Sequence, residues 1–148
     1  MLLEKLTADL HQAQKANLSD RLSVLRMLLA QVKNREIEKR GKTGESTLED
    51  TEVEEVLRRE AKKRKEAAEL FHKGGREDLA DKEMKELATI ETYLPAQMSE
   101  AEIEAVVASV RASGAGDFAS IMREAMKQLK GKADGATVQQ IIKKQLGA

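Results

Sequence analysis

The segment LPAQMSEAE, residues 94–102, divides the chain into two helical parts. Pro95 is the sole proline, and its ring removes a hydrogen bond and the space that a helix interior needs, so the preceding helix must end there. Four residues later, Ser99 and Glu102 have the S-x-x-E spacing of a capping box, which starts a new helix. We therefore predict one helical domain over residues 1–94 and another over residues 95–148.

The N-terminal part contains four amphipathic segments, each with apolar residues three or four positions apart. This spacing predicts four helices, which cover residues 2–16, 21–40, 47–73 and 77–93. Gly41 is expected to end the second helix, because glycine favours the C-cap. Ile37 and Met84 are predicted to lie on the buried sides of the second and fourth helices. Short turns between these helices favour an antiparallel arrangement.

The C-terminal part contains three shorter apolar stripes, which begin at Ile103, Phe118 and Val138. Asp117 and Asp134 are predicted to cap the second and third of these helices, and Gly131 to end the second. The predicted fold class is therefore all-α. An antiparallel helical domain of about four helices precedes a small three-helix bundle.

The composition excludes several classes of protein. Because the chain has no cysteine, it can form neither disulfides nor thiolate metal sites. No apolar run reaches the length of a signal peptide core or a membrane span, so we expect a cytoplasmic location and no membrane partner. Only 2% of the residues are aromatic and the net charge is zero. A base-stacking surface is therefore disfavoured, DNA binding is not expected, and any charged partner must meet a local patch.

The sequence contains no recognisable catalytic constellation. The two histidines, His11 and His72, have no second ligand at metal-binding spacing, so no metal and no cofactor are predicted. Most carboxylates alternate with lysine or arginine three or four residues away, which is typical of solvated helix faces. The loop GKTGEST, residues 41–47, lacks the spacing of a phosphate-binding loop. We therefore predict no catalytic residue.

Two basic clusters remain as candidate binding surfaces. The first, residues 58–65, faces all directions around its helix and has acidic neighbours, so a salt-bridged exposed helix is the simpler interpretation. Within it, Arg64 lies on the apolar face and must find a carboxylate across a helix interface or extend to solvent. The second cluster lies in residues 118–148, which carry six basic and two acidic residues, a net charge of +4. It surrounds the start of the last helix, whose free N–H groups favour phosphate.

The sequence around that turn resembles a known family. LKGKADGATVQQIIKKQL, residues 129–146, is similar to the end of the YqeY family, which is homologous to the tail domain of the B subunit of the glutamine-dependent aspartyl/glutamyl-tRNA amidotransferase. Three further stretches agree: DRLSVLRMLLAQVKN (20–34), REAKKRKEAAELFHKGGREDLADKE (59–83) and ELATIETYLPAQMSEAEIE (86–104). One departure is Arg123, which stands where the family is expected to have glycine.

The resemblance implies a free-standing tail module that holds tRNA and lacks the catalytic machinery of the amidotransferase. The residues predicted to contact RNA are Arg123, Lys127, Lys130, Gly131, Lys132, Asp134, Gly135, Lys143 and Lys144. Two alternatives stay open. The chain could instead dock an amidotransferase subunit or another translation protein. It could also act as a carbon–nitrogen ligase with glutamine as amide donor, which is the activity that a family label inherited from the amidotransferase would give it.

Overall fold

The computed structural model describes residues 1–147. Their regular secondary structure is entirely α-helical, with no β-strand. The helices are α1 (Leu2–Lys15), α2 (Ser19–Thr43), α3 (Asp50–Lys73), α4 (Glu77–Glu91), α5 (Glu100–Ala112), α6 (Phe118–Leu129) and α7 (Gly135–Gln145). The predicted all-α class is confirmed. Contacts separate the chain into unit 1, Met1–Leu94, and unit 2, which starts at Pro95. That each unit folds as an independent domain stays a prediction.

Unit 1 has its apolar core where α1, α2 and the first half of α3 meet the end of α4. Its buried residues are Leu6, Ala13, Val24, Leu25, Leu28, Val32, Val53, Val56, Leu57, Ile90 and Tyr93. These positions recur every three or four residues, so each helix buries one stripe. Burying one such leucine contributes about 1.5–3 kcal/mol, and this makes the core the main stabilising element of the unit.

The second half of α3 pairs with α4 as a helical hairpin. Gly75 has a left-handed φ of 74°, and the N–H of Arg76 donates to the carbonyl of Phe71 at 2.8 Å, so the chain reverses tightly. Between the two helices, Arg64 Nε lies 3.0 Å from Glu86 Oε2 and 3.6 Å from Glu83 Oε2. The predicted carboxylate partner of Arg64 is therefore present, although Nε is outside hydrogen-bonding geometry.

Helix α2 is longer than predicted. It passes through Gly41 and ends at Thr43, and Gly44 takes the left-handed C-cap with a φ of 81°. The extra turn is stabilised because Lys42 Nζ lies 2.9 Å from Glu38 Oε1 and the Thr43 hydroxyl donates to the carbonyl of Lys39. The prediction that Gly41 ends this helix was therefore wrong, and the second glycine of the loop has that role.

Ile37 and Met84 were also predicted wrongly, since they are 58% and 51% exposed. Beyond Val32, α2 meets α3 through ion pairs, among them Lys39 with Glu52 at 2.9 Å. Ile37 therefore has no apolar partner surface. On α4, the side that faces α3 in this region is occupied by Glu83, so Met84 points outward.

Three other helix ends differ from the prediction by two or three residues, and one of them is the start of α2, which lies at Ser19 instead of Arg21. Helix α3 begins at Asp50, because the Glu52 carboxylate accepts the N–H of Glu49 at 2.9 Å and forms a capping box there. Helix α4 ends at Glu91, and Tyr93 closes a turn by donating its N–H to the carbonyl of Ile90.

Candidate nucleic-acid interface

The predicted RNA-binding residues lie on α6, α7 and the turn between them. These helices pack with α5 around a core of their own, which comprises Ile103, Val107, Val110, Ile121, Ala125, Leu129, Val138, Ile141 and Ile142. Since this core takes one stripe of each helix, the basic residues between the apolar positions are directed outward.

Caps set the start of each helix in unit 2. The predicted box at α5 is present: the Ser99 N–H donates to Glu102 Oε2 at 2.7 Å and the Glu102 N–H donates to Ser99 Oγ at 3.3 Å. The bond from the Ser99 N–H, followed by one from the Ser99 hydroxyl to the same carboxylate oxygen, holds the pKa of Glu102 below its usual range. At α6, Asp117 accepts the N–H of Ser120 at 3.4 Å. Hydrogen bonds from Ser120 likewise lower the pKa of Asp117.

Helix α7 begins differently. Asp134 is at the N-cap, as predicted, but its side chain accepts no hydrogen bond from the helix. The N–H groups of the first turn of α7 therefore have no side-chain cap within the described residues, and such groups favour an anion. This is the arrangement on which the predicted phosphate contact depends.

The turn before α7 is shaped by Gly131, whose φ of 81° is in the left-handed region. Residues with a Cβ adopt this conformation at a cost of about 1–2 kcal/mol, so glycine is favoured. Gly135, the other glycine of the predicted site, is the first residue of α7 and has no left-handed φ. A Cβ built at Gly135 would meet nothing within 4 Å. Of these two glycines, only Gly131 therefore has a backbone conformation that disfavours a residue with a Cβ.

The segment before α5 is bonded to this same turn. The N–H of Met98 donates to the carbonyl of Lys132 at 2.9 Å, and the Met98 side chain packs against the unit 2 core. This contact was not predicted, because 34 positions separate the two residues and neither belongs to a helix.

The six basic side chains of α6, α7 and the turn between them are exposed, and most have no acidic partner. Of the six, Lys127 is paired, with its Nζ 3.0 Å from Glu124 Oε1. Arg123 donates to the Ser120 hydroxyl at 3.4 Å. Within residues 1–147 no carboxylate oxygen lies within 4.0 Å of the charged groups of Arg123, Lys130, Lys132, Lys143 and Lys144. These five side chains remain available to an anionic partner.

The first basic cluster, on α3, is different. Arg58 pairs with Glu54 at 3.1 Å and Lys63 with Glu60 at 3.0 Å, and Lys62 and Arg64 also have carboxylate partners. Glu60 is the buried member, with 4% of its surface exposed. This cluster is thus mainly a salt-bridged structural helix, in agreement with the simpler interpretation of its sequence.

Other polar groups of unit 1 serve its packing. The Tyr93 hydroxyl donates to Asp9 Oδ2 at 2.5 Å and accepts from Arg21 Nη2 at 3.1 Å. Burial, followed by the bond to Asp9, raises the pKa of Tyr93 to about 12. Sequence reasoning missed this contact, since 84 positions separate Asp9 from Tyr93 and no local pattern links them. His72 contacts Glu77 across the α3–α4 turn.

The described chain offers few features of other kinds of site. Among residues 1–147 there is no group of three or more histidine or carboxylate side chains that could hold a metal ion. Over the same residues, no helix combines the length and the apolar character that a membrane span requires. A polar groove of about 150 Å³ lies between α2 and α3, where Gln31, Asn34, Arg59 and Lys63 are among its lining residues.

Curated relatives of this chain occur in fungi. An uncharacterized protein of Schizosaccharomyces pombe is 36% identical over 59% of this chain and 67% of its own length. The altered inheritance of mitochondria proteins 41 of Eremothecium gossypii and Lachancea thermotolerans are 33% and 34% identical over 64% and 71% of this chain. These matches span 49% and 55% of the two proteins, about half of their length.

The names of the latter two relatives contradict the expected cytoplasmic location, because both are called mitochondrial. The expectation was wrong for a physical reason. An apolar run is typical of a secretory signal, whereas mitochondrial transit peptides are amphipathic and need no apolar run. The absence of such a run therefore could not distinguish the two locations.

The comparison with protein families agrees with the resemblance seen in the sequence. The family model described as Yqey-like protein matches residues 3–146, which is nearly the whole chain and includes both units. The chain therefore belongs to the YqeY-like family.

Proposed function

We propose that this protein is a non-catalytic accessory module that binds tRNA through the outward sides of α6 and α7. The proposal rests on one observation above all: Arg123, Lys130, Lys132, Lys143 and Lys144 are exposed and have no carboxylate partner in the described chain. In unit 1, by contrast, about half of the lysines and arginines are paired.

Two further features support the same surface, one at the start of α7 and one on α6. The uncapped first turn of α7 offers backbone N–H groups to a phosphate oxygen. The pair between Lys127 and Glu124 is exposed on both sides, so it is worth at most about 1 kcal/mol and can be exchanged for a phosphate. Because the family is homologous to an amidotransferase tail that holds tRNA, we expect the RNA partner to be tRNA.

The test is titration of total tRNA with the full-length protein at several salt concentrations. Four lysine–phosphate contacts predict a log–log salt slope of about −3.6 on duplex and about −2.8 on single strands. A fourfold variant, Lys130→Glu, Lys132→Glu, Lys143→Glu and Lys144→Glu, should lose this binding and its slope. We refer to it as the site variant.

A matched control uses the same change in charge elsewhere. Lys15, Lys73, Lys82 and Lys85 are exposed lysines of unit 1 with no carboxylate oxygen within 4.0 Å in the described chain. Lys15 and Lys73 lie in the last turns of their helices, as Lys143 and Lys144 do. Replacing these four with Glu gives the control variant, which should bind tRNA nearly as well as the parent protein. If tRNA does not bind at low salt, or if both variants lose affinity equally, the proposal fails.

A second candidate is a module that docks an amidotransferase subunit or another translation protein. It is favoured by the exposed apolar side chains of the α3–α4 hairpin, where Leu70 is 69% and Met84 51% exposed. This mode of binding predicts capture of a protein partner that survives high salt and nuclease and is reduced by Leu70→Ser together with Met84→Ser. Capture that is abolished by salt would contradict it.

A further inference from the structure

Unit 2 lacks an exposed aromatic ring. Its sequence contains one aromatic residue, Phe118. Phe118 is half-buried and packs against the unit 2 core. Proteins that bind single-stranded nucleic acid rely on aromatic rings, and each stacked base contributes about 1–3 kcal/mol. The surface around Lys130 and Lys143 therefore has charge for phosphates but no ring on which an unpaired base could stack.

The basic side chains are spread over a length that suits a duplex. Helix α7 has 11 residues and so is about 16 Å long. Lys132 precedes its first turn, and Lys143 and Lys144 lie in its last turn. Over 16 Å, a duplex with the phosphate spacing of B-form DNA presents about nine phosphates on its two strands, and one of its strands alone about five.

The remainder of α7 does not oppose an approaching polyanion. Between Gly135 and Gln145 the helix has no acidic residue. On its outward side, Gln140 and Ala136 precede Lys143 and Lys144 at helical spacing, and all four are exposed. The exposed side of α7 is thus neutral at its centre and positive in its last turn, and Lys132 offsets the charge of Asp134 at its start. A duplex can therefore lie along it with little like-charge repulsion.

We propose that unit 2 binds base-paired RNA, a stem of tRNA rather than a loop, by contacting phosphates of both strands without stacking on bases. This inference rests on the proposed tRNA binding and adds the part of the RNA that is bound. It predicts that single-stranded RNA is a poor ligand even though its charge is the same per nucleotide.

The experiment compares three fluorescent probes with the full-length protein: total tRNA, a blunt RNA duplex longer than α7, and one strand of that duplex, chosen so that it does not fold. We expect the duplex to bind at least about tenfold more tightly than the strand, with a slope of about −3.6. The site variant should lose duplex binding and the control variant should keep it.

The outcomes separate this inference from the function on which it rests. If tRNA binds but the single strand binds as tightly as the duplex, the preference for base-paired RNA is refuted and tRNA binding stands. If the control variant loses the duplex as completely as the site variant, the assignment of duplex binding to unit 2 is refuted. If none of the probes binds at low salt, the proposed function itself is refuted.

Discussion

Replacing Arg64 with methionine tests the ion network between α3 and α4. Methionine retains most of the length and apolar stem of the arginine, so the main change is loss of the charge. Three carboxylates then remain without their shared cation: Glu60 at 3.6 Å, Glu83 at 3.6 Å and Glu86 at 3.0 Å from Arg64 in the native protein. Glu60 keeps its contact with Lys63.

The size of the effect follows from burial. Removing one partner of a buried ion pair costs about 3–5 kcal/mol, because the other charge is left in a poorly solvated place. The side chains of Arg64, Glu83 and Glu86 are 20%, 19% and 23% exposed, so water offsets part of the penalty. We therefore expect the free energy of unfolding of unit 1 to fall by about 3 kcal/mol, the lower end of that range.

The assay is urea unfolding followed by tyrosine fluorescence. The chain has one tyrosine and no tryptophan, and Tyr93 is buried in unit 1, so the signal reports that unit alone. Lys65→Met is the matched control, since Lys65 is exposed on the same helix with no carboxylate oxygen within 4.0 Å in the described chain. The control should change stability by no more than about 0.5 kcal/mol. If Arg64→Met costs no more than Lys65→Met, the network does not stabilise the hairpin.

Three further predictions concern other sites. In the folded protein the absorbance titration of Tyr93 should have its midpoint near pH 12, against about 10 in urea. Because the folded pKa is the higher one, the contribution of Tyr93 to stability is full below pH 10 and is lost as the pH rises through 12. A folded midpoint near 10 would contradict this prediction. Gly131→Ala should destabilise unit 2 by about 1–2 kcal/mol, whereas Gly135→Ala should be neutral or stabilising by up to about 1 kcal/mol. If thermal unfolding followed by circular dichroism shows the same loss of stability for both variants, the left-handed φ at residue 131 is unimportant. Met98→Pro removes the N–H that donates to the carbonyl of Lys132, so it should weaken tRNA binding about three- to tenfold more than Met98→Ala does. Equal affinities of the two variants in the tRNA titration would show that this bond does not position the turn.

The sequence alone determined the helices of this protein and most of their ends. Ser99 and Glu102 could be assigned to a capping box, and the end of α3 to Gly74 and Gly75, because such signals act over three or four residues. Where two local signals competed, as with Gly41 and Gly44, the sequence did not decide between them. The exposed basic residues of α6 and α7 were also found from spacing, since the apolar stripe determines which sides face outward.

The tertiary structure decided which charges are paired and which are free. In sequence, the first basic cluster has acidic neighbours along its own helix, but only the folded chain shows that Arg64 meets Glu86 across a helix interface, whereas Lys130 and Lys143 meet no carboxylate in the described chain. Partners on different helices depend on packing distances of a few ångströms, which no short stretch of sequence encodes. For the same reason the bond from Met98 to Lys132 could be found only in the folded chain.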